Sequence, residues 1–179
     1  PDPRKWTGAN KLDIALHHLQ RGCLLQSDSI VRVAAQQIFY PVRITTAEGI
    51  QPDLSYHQHD NQLYIGSYGT VFAEGVTRVA DWLQGTPYAL QGEQLRLFSE
   101  FIRSTYLNVF RGGYIDFSVV GRGISRENAL DGRGTVDMLK KLEILDSMYA
   151  GEYAEAIVRF SQPGHSDYCR RDRTTVYWR

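Results

Sequence analysis

Apolar residues recur every three to four positions over most of this chain, the spacing of helices that bury one face. Leu12, Ala15, Leu16, Leu19, Cys23 and Leu24 trace the first stripe. Ile30, Val31, Ala34 and Ile38 trace a second, with Ser27 or Asp28 placed to cap it and Pro41 to stop it. The rhythm returns near Thr70 with Val71, Phe72, Val76, Val79, Ala80 and Leu83, and Gly85-Thr86-Pro87 ends it. Trp82 is expected on the buried face of that helix. Leu95, Phe98, Ile102, Tyr106 and Leu107 predict a long helix over 92–110, and two more fit 135–149 and 152–160.

Residues 43–67 lack this rhythm and are rich in Gly, Asp, Gln, His and Tyr. They read as a long ordered loop, a feature more often functional than idle. Tyr114 to Val119 alternates like a short extended segment and leads into a loop with two arginines. Thr174-Thr175-Val176-Tyr177-Trp178 looks like the first strand of a further unit. The fold class predicted is all-α: antiparallel helical hairpins with functional loops at one end. Residues 1–163 form the helical domain, and 164–179 a tail with a β-strand near the C-terminal end.

Bulk properties change this picture little. The 179 residues suit one domain or one large piece of a bigger protein. Formal net charge is zero, so no whole-chain field favours nucleic acid or an anionic membrane surface. No apolar run approaches the ~20 residues of a membrane helix. Arg159, Arg170, Arg171, Arg173 and Arg179 crowd the C-terminal stretch and read as a solvated end. Cys23 and Cys169 fit neither a disulfide framework nor a zinc motif.

The chemistry is concentrated in three segments. Trp6-Thr7-Gly8-Ala9-Asn10 opens the first helix, and Ser55-Tyr56-His57-Gln58-His59 is followed closely by Tyr68-Gly69. Gly121-Arg122-Gly123-Ile124-Ser125-Arg126 supplies the two arginines. An amide, an imidazole, a phenol and two guanidiniums suit a carboxylate-bearing sugar better than a phosphate, a metal or a nucleotide. Cleaving a bond beside a uronic acid by elimination needs a donor to the carboxylate, a base for the adjacent proton and an acid for the leaving oxygen. One phenol can serve as both base and acid. His57 and His59 lack a third and fourth ligand at a credible metal spacing. His17 and His18 fall inside a helix and read as structural or surface residues.

The segments from Trp6 to Leu16, Ser55 to His59, Gln62 to Phe72 and Gly121 to Arg126 resemble, in order, the helical catalytic domain of polysaccharide lyase family 8, the chondroitin AC, hyaluronate and xanthan lyase group. The wording Gln62-Leu-Tyr-Ile-Gly-Ser-Tyr-Gly is more similar to the chondroitin AC branch. The resemblance covers about Trp6 to Phe160. It implies part of an incomplete α/α toroid with a cleft for an acidic polysaccharide, chondroitin sulfate or hyaluronan. It implies that Asn10 holds the uronate carboxylate, His59 sits at the proton-bearing carbon and Tyr68 exchanges the protons. Arg122 and Arg126 would position the tyrosine and the sugar; apart from the resemblance, Trp6 adjoins the asparagine motif and is the candidate to stack on a sugar ring. No cofactor is implied, and the home would be secreted or periplasmic in a bacterium. The family's β-sandwich domains and their further acidic site residue lie outside this sequence.

Two rival readings stand beside this one. A carbohydrate-binding piece would keep the contacts and not turn over. A glycoside hydrolase on a similar toroid would need two opposed carboxylates, for which Asp53, Asp60 and Asp116 are the candidates.

Overall fold

A computed structural model describes residues 2–161 of the chain. Among the described residues six α-helices carry the fold: α1 (Gly8–Leu24), α2 (Asp28–Phe39), α3 (Tyr68–Leu83), α4 (Gly92–Ser104), α5 (Val136–Leu145) and α6 (Ala150–Ser161). Short connections make hairpins of α1 with α2 and of α5 with α6, and α3 packs against both α1 and α5. The Thr174–Trp178 strand predicted from sequence and Arg170, Arg171, Arg173 and Arg179 lie outside the described residues, whereas Arg159 sits on α6 and donates to the Leu107 carbonyl at 3.1 Å.

The stripes bury as their spacing requires, with one shift. On α1 the buried line is Leu12, Ala15, Leu19 and then Gly22, while Cys23 and Leu24 face outward, Leu24 at 86% exposure. Gly22 lets the two helices of the first hairpin approach closely, since a Cβ there would stand 2.9 Å from Val31. Gly75 does the same between α3 and Leu12 of α1. Trp82 is exposed, at 51%, and not buried as its helix suggested. It sits roughly 100° around α3 from the centre of the Phe72–Val76–Val79–Leu83 stripe, with the Arg78 guanidinium 5.9 Å from its ring centre.

An aromatic cluster forms the middle of the core. Phe72 of α3 lies 5.1 Å from Tyr56 and 6.0 Å from Phe101 of α4, centre to centre. Phe110 stacks on Phe160 of α6 at 4.5 Å.

The helix predicted over 92–110 stops at Ser104. Asn108 turns its side-chain amide back to donate to the Ser104 carbonyl at 2.8 Å, satisfying an end that would otherwise be orphaned. A 3-10 turn, Tyr106–Val109, follows. It leads into a two-stranded ribbon of β4 (Phe110–Arg111) and β5 (Tyr114–Ile115).

The stretch read as one long loop holds a small antiparallel sheet in the order β1 (Gly49–Ile50), β2 (Tyr56–Gln58), β3 (Gln62–Leu63). Ile50 pairs with Tyr56, and His57 with Leu63. Tyr56 and Gln58 point inward and are fully buried, so this sheet plugs one end of the helical layer.

Candidate active site

The site is built where β2 turns into β3 and the chain then enters α3. His59 and Asp60 both adopt positive φ, 53° and 64°, to reverse the chain directly after β2. A second reversal comes at Ser67, φ 55° and ψ −96°, the residue before Tyr68 opens α3. Left-handed backbone is costly for residues with a side chain and tends to mark functional sites. Between the two reversals, Tyr64 N–H donates to the Tyr56 carbonyl and Gly69 N–H to the Tyr64 carbonyl, both at 2.8 Å.

Three rings meet here. His59 stands edge-on to Tyr68 with centres 4.8 Å apart and planes at 90°. Tyr64, buried beneath them, is edge-on to both, 5.2 Å from Tyr68 and 6.0 Å from His59. Among the described residues, His59 Nε2 is buried and has no hydrogen-bond partner. A buried polar atom left unmatched is rare enough to ask for a reason.

The arginine loop closes over this group as a 3-10 turn, Gly121–Ser125. Gly66 N–H donates to the Val119 carbonyl at 2.9 Å, which stitches the two segments together. Gly121 has φ 53° and lies flat on the Tyr64 ring, where a Cβ would come within 2.3 Å of ring carbons. The next residue then makes two contacts: Arg122 N–H donates to the Tyr64 hydroxyl, and Arg122 Nη2 donates to the Tyr68 hydroxyl, both at 3.1 Å. A guanidinium bonded to a phenol oxygen is aligned to stabilise negative charge on that oxygen.

The N-terminus of α1 reaches the same sheet through side chains. Gly8, at φ 49°, leaves room for Gln58, whose Oε1 a Cβ at that position would meet at 2.3 Å. Gln58 Oε1 accepts from Ala9 N–H at 3.4 Å and from the Tyr56 hydroxyl at 3.3 Å. Burial pushes the Tyr56 phenol well above its usual range, so it acts as a donor here. Gln58 Nε2 donates at 2.6 Å to Glu48, which also accepts from the Thr7 hydroxyl and, at 2.8 Å, from His59 N–H.

Of the residues singled out from sequence, His59, Tyr68 and Arg122 come into direct contact. Asn10 is half-buried in the first turn of α1, and among the described residues its amide makes no hydrogen bond. Among the described residues no hydrogen bond or ring contact joins it to His59 or Tyr68; Gln58 and Glu48 link the start of its helix to the turn at His59. Trp6 is 45% exposed just ahead of α1. Arg126 is exposed and does not touch Tyr68. It borders a cleft of about 260 Å³ with Ser67, Thr70 and Glu74. His57 lies 3.4 Å from the Ser55 hydroxyl and stays out of the ring cluster. Among the described residues no three His, Cys, Asp or Glu side chains converge on one point. Asp53 and Asp116 each cap their own turn, accepting from Ser55 at 2.7 Å and from Ser118 at 2.6 Å, and Asp60 is exposed. Sequence reasoning missed Glu48, Gln58 and Tyr64. Gln58 and Tyr64 both lay inside matched segments, Gln58 directly before His59 and Tyr64 four residues before Tyr68, while Glu48 carried no signal.

Residues 1–159 match the family model described as polysaccharide lyase family 8, N terminal alpha-helical domain. Chondroitinase-AC of Pedobacter heparinus is 43% identical over 159 residues, 88% of this chain and 23% of that protein. Hyaluronate lyase HylB of Enterococcus faecalis is 28% identical over 90% of this chain and 17% of its own length. Among solved structures, a chondroitinase AC lyase with bound oligosaccharide superposes with a TM-score of 0.88 at 42% identity, covering 93% of this chain and 25% of that one. A Paenibacillus xanthan lyase shares the fold with a TM-score of 0.72 at 24% identity, over 85% of this chain and 15% of its own. The chain thus spans a quarter or less of the length of these relatives.

Proposed function

The chain belongs to polysaccharide lyase family 8, and from that premise we propose that it is the helical catalytic portion of an enzyme cleaving a uronic-acid-containing glycosaminoglycan, chondroitin sulfate or hyaluronan, by β-elimination. The observation that carries the proposal is the 3.1 Å bond from Arg122 Nη2 to the Tyr68 hydroxyl, with the His59 ring edge-on to the same tyrosine.

In this reading Tyr68, deprotonated, takes the proton from the carbon beside the uronate carboxylate. The electron pair released forms the carbon–carbon double bond as the bond to the leaving glycosidic oxygen breaks. Tyr68 then delivers its proton to that oxygen and returns to its starting state. Arg122 holds the tyrosine oxygen while it is negative. The unbonded Asn10 amide donates to the uronate carboxylate, which stabilises the charge developing beside it. His59, its ring edge-on to Tyr68, lies in this reading beside the proton-bearing carbon of the sugar. Trp6 supplies an exposed ring for stacking, and Arg126 a guanidinium for an acidic group further along the polymer. Such polymers are too large to cross a membrane, which supports action outside the cytoplasm, secreted or periplasmic.

The test is ultraviolet absorbance of the conjugated uronate, followed separately on chondroitin sulfate, hyaluronan and xanthan with the wild type and Tyr68→Phe. A rise on one of the first two that the variant lowers by ~10²–10⁴-fold, the scale of acid–base catalysis, sustains the proposal. A flat trace with saturable binding of one polymer, weakened by Arg122→Ala, means a binding element that does not turn over alone. A flat trace without binding overturns the reading.

A further inference from the structure

We propose that Glu48 is a positioning residue, a carboxylate pivot that holds the carboxylate-binding arm at the start of α1 and the proton-handling arm at His59 in one fixed relation. This rests on the functional reading above for what the two arms do, and on geometry alone for the pivot.

Glu48 gathers three donors from two separate stretches of chain. Its Oε2 accepts from the Thr7 hydroxyl, 41 residues away and directly ahead of α1, and from Gln58 Nε2 at 2.6 Å, at the end of β2. Its Oε1 accepts from His59 N–H at 2.8 Å. None of these donors is a cation, and among the described residues Glu48 takes part in no ion pair. The charge is held instead by neutral dipoles, beside the N-terminus of α1, where negative charge is favoured.

Each bond acts on a residue whose placement the chemistry needs. The bond to His59 N–H fixes a left-handed residue, φ 53°, whose ring would otherwise be free to leave Tyr68. The bond to Gln58 orients its amide so that the carbonyl faces Ala9 N–H, one residue before Asn10. Gly8 keeps that path open, because any side chain there would collide with Gln58. Glu48 itself touches none of His59's ring, Tyr68's hydroxyl or Arg122's guanidinium through a hydrogen bond, so its influence runs through the backbone of His59 and the side chain of Gln58.

The primary test is amide hydrogen exchange of the 179-residue chain by nuclear magnetic resonance, read together with the ring resonances of His59 and Tyr68. Glu48→Ala removes one charge-assisted acceptor from His59 N–H and should speed its exchange by about 10- to 100-fold. The ring signals should shift, while protection in the cores of α3 and α5 stays as in wild type. Should the alanine variant fail to fold, Glu48→Gln keeps the volume and one acceptor oxygen and should give a smaller change in the same two readouts. The proposal is overturned if the folded variant keeps wild-type exchange at His59 and wild-type ring signals. Where the chain produces unsaturated sugar, kcat should fall by about 10-fold or more and KM by far less, since no contact with substrate is lost. Equal kcat in Glu48→Gln and wild type would also overturn it. A wild type that neither binds nor cleaves would sink the functional reading and leave the exchange result to judge the pivot.

Discussion

Two clusters in this molecule draw on nearly the same side chains and behave as opposites. One joins α4 to the second hairpin: Ser99 and Tyr153 both donate to Asp146 Oδ2, the tyrosine at 2.8 Å. Arg103 donates to Ser99 at 3.3 Å, pairs with Glu152 and lies 3.4 Å over the Tyr149 ring. The other is the His59, Tyr64, Tyr68 and Arg122 group with Glu48 behind it. In the first, Ser99, Asp146 and Tyr153 are all buried, and burial beside Asp146 drives the Tyr153 phenol far above its usual range, which fixes it as a donor. In the second, Tyr68 is half-open, its oxygen receives a guanidinium, one imidazole nitrogen has no partner, and two reversals are held in left-handed backbone. A tyrosine, an acid and an arginine therefore do not announce chemistry. What separates a fastener from a site is unspent bonding capacity, together with strain the surroundings maintain.

The sharpest way to break this contrast is to remove the same atom from each cluster. Tyr68→Phe should lower formation of unsaturated product by about 10³-fold, the equivalent of about 4 kcal/mol, and hardly move the melting temperature. Tyr153→Phe should do the reverse, with calorimetry showing a loss of about 1–2 kcal/mol and turnover unchanged. Next in size, Asp146→Ala strands two buried hydroxyls and should cost about 3 kcal/mol of stability, a fall of roughly 6–12 °C in melting temperature for a chain of this size. Arg122→Lys keeps the charge and the backbone bond to Tyr64 but gives up the planar guanidinium that reaches the Tyr68 hydroxyl, so turnover should drop by about 10- to 100-fold at nearly constant stability. The smallest effect is expected from Ser67→Gly. Relief of the left-handed strain should raise stability by about 1 kcal/mol, and a slower turnover in the same variant would show that the strain sets the direction of Tyr68.

Much of the fold was legible in the chain because long helices repeat their signal. Leu12, Ala15 and Leu19, or Phe72, Val76, Val79 and Leu83, each state the buried face several times over. Elements too short to repeat anything were not legible. The strands of the small sheet are two or three residues long, below the length at which alternation can be told from chance. The end of α4 was hidden for another reason: Asn108 caps it from four residues beyond, where no periodicity points. Trp82 was misread because a large apolar residue at the edge of a stripe looks like a member of it. In the site, His59, Tyr68 and Arg122 could be picked out by the motifs that carry them, and the structure brings them together. Arg126 was grouped with Arg122 on spacing within one loop, yet the 3-10 turn aims it at the neighbouring cleft. Glu48 carries no local mark, since its partners are chosen by tertiary closure.

The bond between Arg122 and Tyr68 spans 54 residues of chain. Closing a loop of that length costs roughly 3–4 kcal/mol of chain entropy, more than one hydrogen bond returns in water. The pair therefore cannot nucleate anything; it forms when the helices between and around it have already condensed. At the ~5–20 residues per second of protein synthesis, Tyr68 is added to the chain roughly 3–11 s before its arginine. A growing chain is born with its base and without the group that steadies it, and the enzyme chemistry proposed for this fold begins only once the last of these segments has arrived.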